Sequence, residues 1–137
     1  MFELHERLAA DTAEVADWPL CRVLLMNDSS YPWLVLVPRR KGVSEVHELD
    51  GGDRAQLMEE IAEASRRLQY LTNAHKMNVA ALGNVVPQLH VHVVARSTED
   101  AAWPRPVWGV VPATAYGGAE LAERLGALRR VFATAPS

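Results

Sequence analysis

The stretch Pro87-Gln-Leu-His-Val-His-Val-Val-Ala-Arg96 carries the reading around which the rest of the chain falls into place. Apolar and polar side chains interleave at a period of two, the pattern of a strand with one face in a core and the other at a site. Gln88, His90 and His92 share one face, and Leu89, Val91 and Val93 point the opposite way. Branched side chains favour the extended backbone and anchor the strand against an apolar layer. The imidazoles are then expected on a rigid element, as a reacting group requires.

At 137 residues the chain has the length of one domain, expected to run over residues 1–137. A domain of this size buries about two-thirds of the surface its unfolded chain exposes, so it needs no covalent staple. The single Cys21 has no intramolecular disulfide partner. With no secretory signal or long apolar run, a reducing cytoplasmic setting and no membrane association are expected. Cys21 heads an apolar run and reads as a small core residue. A formal net charge of −3 opposes broad binding to nucleic acid but leaves room for a small anionic ligand at a local site. No internal repeat or low-complexity linker divides the chain.

Leu4 and Leu8 at helical spacing predict a short helix over Phe2 to Ala10, ending near Asp11 and Thr12. Glu14 to Asp17 is read as a brief connecting segment, and Trp18-Pro19 as a turn. Cys21 to Met26 and Leu34 to Val37 are apolar runs separated by Asn27-Asp28-Ser29-Ser30, and they predict an antiparallel hairpin. Arg39, Arg40 and Lys41 form a basic loop, either a solvated turn or a phosphate contact. Asp50 is an N-cap candidate for the main helix, with Asp53 favourably placed for its dipole. The buried stripe of that helix is Leu57, Ile61, Ala64, Leu68 and Leu71, with the pair Glu63 and Arg67 on its wet face.

Lys76 to Leu82 is read as a strand that Gly83-Asn84 turns back into the histidine strand, giving a second hairpin. The segment Trp103-Pro104-Arg105-Pro106-Val107-Trp108-Gly109 is too stiff and donor-poor for a central strand. It should lie across a surface and cover apolar groups. Gly117-Gly118 releases the chain into a last helix with Leu121, Leu125, Leu128 and Phe132 as its stripe. The expected class is α+β, an antiparallel sheet of about five strands with a long central helix and a C-terminal helix on one face or end.

A neutral imidazole can attack an electrophilic phosphorus and hold it covalently, splitting one difficult displacement into two easier ones. His90 suits the nucleophile and His92 a donor to the phosphate or the departing group. A backbone carbonyl can fix the nucleophile's tautomer by accepting from one ring nitrogen. Two other readings remain at this point. The pair can be ordinary half-buried histidines, or two ligands of a metal that would need further ligands. His5, His47 and His75 lie in unrelated contexts without carboxylate or cysteine at ligand spacing.

Gln88-Leu-His90-Val-His92-Val-Val resembles the histidine-triad (HIT) motif His-φ-His-φ-His-φ-φ, φ being apolar, with glutamine at the first position. The likeness runs from about Cys21 to Arg96. Val23-Leu-Leu-Met-Asn27 and Leu34-Val-Leu-Val-Pro38 resemble the family's earlier strand pair, and Glu45-Val-His-Glu-Leu49 the section before its helix. The resemblance implies a nucleotide-conjugate hydrolase or nucleotidyl transferase. In that family the middle histidine attacks the α-phosphorus, and the nucleotidyl-histidine is then discharged to water or another acceptor. His90 matches that nucleophile and His92 the third triad member.

By the same resemblance, Asn27 matches a ribose contact, and Gly83 and Asn84 the turn that approaches the phosphate. The implied partner is a nucleotide or a small molecule like a dinucleoside polyphosphate, with no cofactor, no metal in the covalent step, and a homodimer as the assembly. The chain departs from the family at Gln88, at Pro32-Trp33 where Gly-His is usual, and at Val85-Val86-Pro87 in the phosphate turn. Alternatives to the enzyme are a nucleotide-binding or sensing protein with a weakened triad, and a metal-dependent His-x-His enzyme.

Overall fold

The computed structural model describes residues 1–136. Its elements are α1 (Glu6–Asp11), β1 (Thr12–Asp17), β2 (Cys21–Met26), β3 (Trp33–Pro38), α2 (Gly51–Thr72), β4 (Lys76–Ala80), β5 (Val91–Arg96) and α3 (Gly118–Val131), with a 3-10 turn at Val46–Glu48. The strands form one antiparallel sheet in the order β1-β2-β3-β5-β4. The class is therefore the α+β arrangement expected.

Alternation along the strands sorts the side chains into two layers. Val23, Leu25, Leu34, Leu36, Val91, Val93 and Ala95 meet the buried faces of α2 and α3, namely Leu57, Ile61, Ala64, Leu68, Leu128 and Phe132. Leu24, Trp33, Val35, Val37 and Val94 face the other side, where Leu8 of α1, Val86, Ala102 and Val107 cover them. Every residue of β3 and of β5 is buried. Burial on both faces is why these strands read as near-continuous apolar runs.

Several boundaries differ from the sequence expectations. α1 starts at Glu6, because the Nδ1 of His5 accepts from the amide of Arg7 at 3.1 Å and caps the helix there. The segment around Glu14 is an edge strand, β1. Its register shifts between Glu14 and Ala16, and that bulge breaks the alternation by which a strand is recognised. The histidine strand begins at Val91, not Pro87, and the second hairpin is closed by a loop over 81–90 instead of a tight turn.

Asp50 caps α2 by accepting from the Asp53 amide at 2.8 Å. The pair Glu63 and Arg67 does not lie on a wet face. Both side chains are largely covered, and the Arg67 guanidinium lies over Trp18 and Phe132 at 5.1 and 5.9 Å. The tryptophan-proline segment lies on the sheet as expected, burying Ala102 and Val107 beneath it. Arg39 and Arg40 bond within the molecule, to the carbonyl of Trp18 and to Asp53, which makes the basic loop structural.

Candidate active site

His92 lies within β5, paired with Val35 of β3 and Ala80 of β4. His90 lies just ahead of the strand, yet its position is fixed from both sides. Leu89 is buried in the helix-facing core and its amide donates to the carbonyl of Val43 at 2.9 Å, and Val91 is already in the sheet. The two imidazoles are on the same side, with ring centroids 4.9 Å apart and planes at 76°, and both residues are buried.

Hydrogen bonds assign opposite tautomers to the two rings. Nδ1 of His90 is 2.7 Å from the carbonyl oxygen of Gln88, which can only accept. A neutral His90 therefore carries its proton on Nδ1 and presents the lone pair of Nε2. The indole Nε1–H of Trp33 donates to Nδ1 of His92 at 3.0 Å, so the proton of a neutral His92 sits on Nε2. Burial, and next the neighbouring His90, pushes His92 down to about 4. The pair presents one nucleophilic nitrogen and one neutral hydrogen-bond donor.

Both histidines line a cleft of about 440 Å³. Arg7, Leu8 and Asp11 of α1, Met26 of β2, Trp33 of β3, Leu82 to Val86 of the 81–90 loop and Trp108 form the rest of its wall. The ring of Trp108 stands edge-on to His92 at 5.0 Å and to Trp33 at 5.6 Å. The apolar wall with a few convergent polar groups is the character of a small-molecule site. A neighbouring hollow of about 180 Å³ shares Asp11, Met26 and Trp33 with the cleft and continues to Asn27, Asp28 and Ala113.

Of the residues singled out from sequence, His90, His92, Gly83 and Asn84 meet at the cleft. Gly83 has φ of +76°, a conformation costly for a residue with a Cβ, and its exposed loop forms one rim. Asn27 lies in the adjoining hollow, where its side-chain oxygen accepts from the Tyr116 amide at 2.9 Å. Gln88 is not among the described residues that line the cleft. Its side-chain oxygen accepts from the His5 amide and its nitrogen donates to the Glu3 carbonyl, both at 2.8 Å. Its contact with His90 is made through its own backbone carbonyl.

Sequence reasoning missed Trp33 as a partner of His92, Arg7 and Asp11 as wall residues, and the part Trp108 plays over His92. One signal was available: Trp33 shares the parity of Val35 and Val37, the sheet face on which His92 lies. Among the described residues no group of three or more histidine, cysteine, aspartate or glutamate side chains is placed to hold a metal ion. His5 caps α1, and His75 stands edge-on to Trp103 at 5.4 Å. Among the described residues no helix is long and apolar enough to cross a membrane.

The family model described as HIT domain matches residues 7–99. A histidine triad protein from Bradyrhizobium japonicum is 53% identical over 94% of this chain and 96% of its own, with a TM-score of 0.91. One from Marinobacter aquaeolei VT8 is 46% identical, covers 97% of both chains and gives 0.94. A histidine triad (HIT) protein from Sinorhizobium meliloti 1021 is 41% identical over 96% of this chain and 97% of its own, at 0.92. No curated protein sequence matches the chain.

Proposed function

The chain belongs to the HIT domain family, and from that membership we propose that it hydrolyses nucleotide conjugates through a nucleotidyl-His90 intermediate, transfer to another acceptor being the less favoured outcome. The family includes nucleotide hydrolases and transferases as well as members without activity, so action on or binding of nucleotides is the common ground. The observation that carries the enzymatic reading is the bond between His90 Nδ1 and the Gln88 carbonyl, which leaves Nε2 bearing its lone pair at a cleft.

In this reading the pair on Nε2 forms a bond to the α-phosphorus as the bond to the leaving group breaks. Water then attacks the phosphorus and gives up a proton to solvent, the nitrogen–phosphorus bond breaks, and its pair returns to Nε2. His92 Nε2–H stabilises charge that develops on the phosphoryl or departing oxygen. The nucleoside occupies the hollow near Asn27, whose side-chain amide contacts the ribose, and the phosphate lies against the rim at Gly83 and Asn84. No metal or cofactor is invoked.

The test is turnover of a panel of adenosine and guanosine 5′-phosphoryl conjugates by wild type and His90→Asn. Loss of turnover with nucleotide binding kept within a fewfold supports the reading, because attack is lost and ground-state contacts are not. Trapping of a nucleotidyl adduct seen by intact mass in the wild type, absent from the variant, completes it. His90→Asn protein working at the wild-type rate ends it.

A second reading, a nucleotide-binding or sensing protein with a weakened triad, is favoured by one observation. The Gln88 side chain is committed to Glu3 and His5 and takes no part in proton handling. Tight nucleotide binding with no hydrolysis across the same panel selects it. The assembly proposed is a homodimer. It is supported by β4, an edge strand that carries exposed Val79 and leads into a loop with exposed Leu82 and Val85. A monomer by light scattering at micromolar concentration ends that proposal. A cytoplasmic setting goes with this reading.

A further inference from the structure

The surroundings of His92 bear on the kind of group that departs. An indole N–H can donate but not accept. A second proton on His92 would sit on Nδ1 and meet the Trp33 donor head-on at 3.0 Å. The rings of Trp33 and Trp108, centred 5.7 and 5.0 Å from the imidazole, cover it, and the residue is 5% exposed. The first triad position supplies no titratable proton either, since Gln88 is an amide engaged with backbone.

The remaining titratable and charged groups facing this part of the cleft are few. His90 directs Nδ1–H at the Gln88 carbonyl. α1 contributes Arg7 and Asp11, paired at 3.8 Å, while β2 and β3 contribute Met26 and Trp33 and the covering segment Trp108. Among the described residues lining the cleft, Arg7 is the one lysine or arginine. The wall thus offers one positive charge and one neutral imidazole donor.

We propose that Trp33 is a specificity-determining residue that holds His92 as a neutral Nε2–H donor and so restricts the site to nucleotide conjugates whose leaving group departs as an anion. These are anhydrides with phosphate, sulfate or a carboxylate, in preference to phosphoramidates. The inference rests on the nucleotidyl-histidine reading above. In an anhydride the phosphorus–oxygen bond breaks with its electron pair leaving on an oxygen that needs no proton at neutral pH. His92 Nε2–H hydrogen-bonds that oxygen and Arg7 offsets its charge. In an amide the pair would leave on nitrogen, which departs only with a proton bound to it. His92 has a single N–H, and giving it up would leave an imidazolate. Burial, which pushes the ring down to about 4, acts in the same direction as the Trp33 donor.

The experiment pairs two readouts on wild type and Trp33→Phe, which removes the N–H and keeps an aromatic ring against Tyr31 and Trp108. Long-range 15N NMR of the histidine rings reads the tautomer and titration of His92 without any substrate. Steady-state kinetics compares two conjugates of the same nucleoside monophosphate, an anhydride with sulfate and an amide with a primary amine. In the wild type His92 is expected as the Nε2–H tautomer without titrating between about pH 5.5 and 8, with the anhydride strongly preferred. In Trp33→Phe the ring should lose its fixed Nε2–H tautomer and its midpoint should rise above that of the wild type, burial and His90 still holding it below 6.5, and kcat/KM for the amide should rise relative to the anhydride by more than about tenfold as the pH falls. A wild-type ring protonated on Nδ1 overturns the proposal, as does a variant ring whose tautomer and midpoint match those of the wild type. Amide cleavage by the wild type within tenfold of the anhydride overturns the selectivity and leaves the hydrolase reading standing. Cleavage of neither conjugate overturns the hydrolase reading and the selectivity with it, while the NMR result still decides the state of His92. Should Trp33→Phe fail to fold, the wild-type tautomer and preference alone carry the decision.

Discussion

The side-chain oxygen of Gln88 accepts a hydrogen bond from the backbone amide of His5 at 2.8 Å, joining residues 83 apart in sequence. With the partner bond from Gln88 Nε2 to the Glu3 carbonyl, it clasps the segment that leads into α1 to the loop that carries His90. α1 in turn supplies Arg7, Leu8 and Asp11 to the cleft wall. Gln88 thus braces the entry to α1 against the loop that carries His90. Histidine in its place keeps at most one of the two bonds, each worth about 1 kcal/mol net. We expect Gln88→His to lower stability by about 1–2 kcal/mol in urea unfolding and to change turnover by less than about tenfold, with no new limb in the pH profile. A gain well above tenfold with a limb near pH 6.5 would identify an impaired triad instead and favour the binding-protein reading.

His92 also makes the folded state sensitive to pH. Its folded value of about 4 lies below the roughly 6.5 of an unfolded histidine, so between these limits the unfolded chain binds a proton that the folded chain does not. Stability is then full above about pH 6.5, falls as the pH drops to about 4, and loses no more below that from this group, a span of up to about 3 kcal/mol. Urea midpoints across that range should show the slope in wild type and a flatter one in His92→Asn. Equal slopes in the two proteins would assign the acid sensitivity elsewhere.

How far the sequence could be read follows from how local each signal is. β2, β3 and the stripe of α2 are visible because period and burial agree along their whole length, and β2 runs from Cys21 to Met26 as expected. β1 is obscured because its bulge at Val15 shifts the parity, and its exposed positions carry Glu14 and Asp17. His90 and His92 are legible from their spacing alone. Their chemistry depends on Trp33, Trp108 and the Gln88 carbonyl, which reach them through strand register and loop path. Arg7 was invisible as a wall residue because α1 comes to the cleft by the Gln88 clasp, a contact between residues 83 apart in sequence.

Cys21 should be inert in the folded protein. It is fully buried, and burial first and the adjoining Glu60 next push its thiol well above the usual range. Glu60, itself fully buried, accepts from the amides of Leu20 and Cys21 at 2.9 and 2.8 Å and so secures the start of β2. Because the thiolate is the reactive form, an alkylating reagent at pH 8 should modify Cys21 only as fast as the chain opens. Labelling in native buffer at the rate found in denaturant would show that this end of the sheet is open. Glu60→Ala, which leaves two buried amides without partners, should cost about 2–4 kcal/mol and speed the labelling.

The segment that brings Trp108 over His92 depends on a buried ion pair. Arg96 is 1% exposed and meets Asp100 through two bonds, Nε to Oδ2 at 2.8 Å and Nη2 to Oδ1 at 3.0 Å, while Nη1 donates to Asn78. The guanidinium lies over Tyr31 and Trp103 at 5.7 and 5.6 Å. Burial by itself would raise the Asp100 carboxyl. Arg96 and the amides of Ser97, Trp103 and Ala102 overcome that and hold it down at about 2. The pair's contribution is therefore present above the unfolded carboxyl range near 4 and is lost as the pH falls through about 2. Arg96→Leu leaves Asp100 as a buried charge without its partner, and should cost about 3–5 kcal/mol. Lysine has the charge but not the planar fork, so Arg96→Lys should recover only part of that loss. Because Asp100 also caps the turn that starts the covering segment, both variants should loosen Trp108. Its fluorescence would then become more accessible to an aqueous quencher at denaturant levels where the sheet is still folded. A loss below about 1 kcal/mol in Arg96→Leu would place the pair among weak surface contacts and leave the covering segment held by Ala102 and Val107 alone.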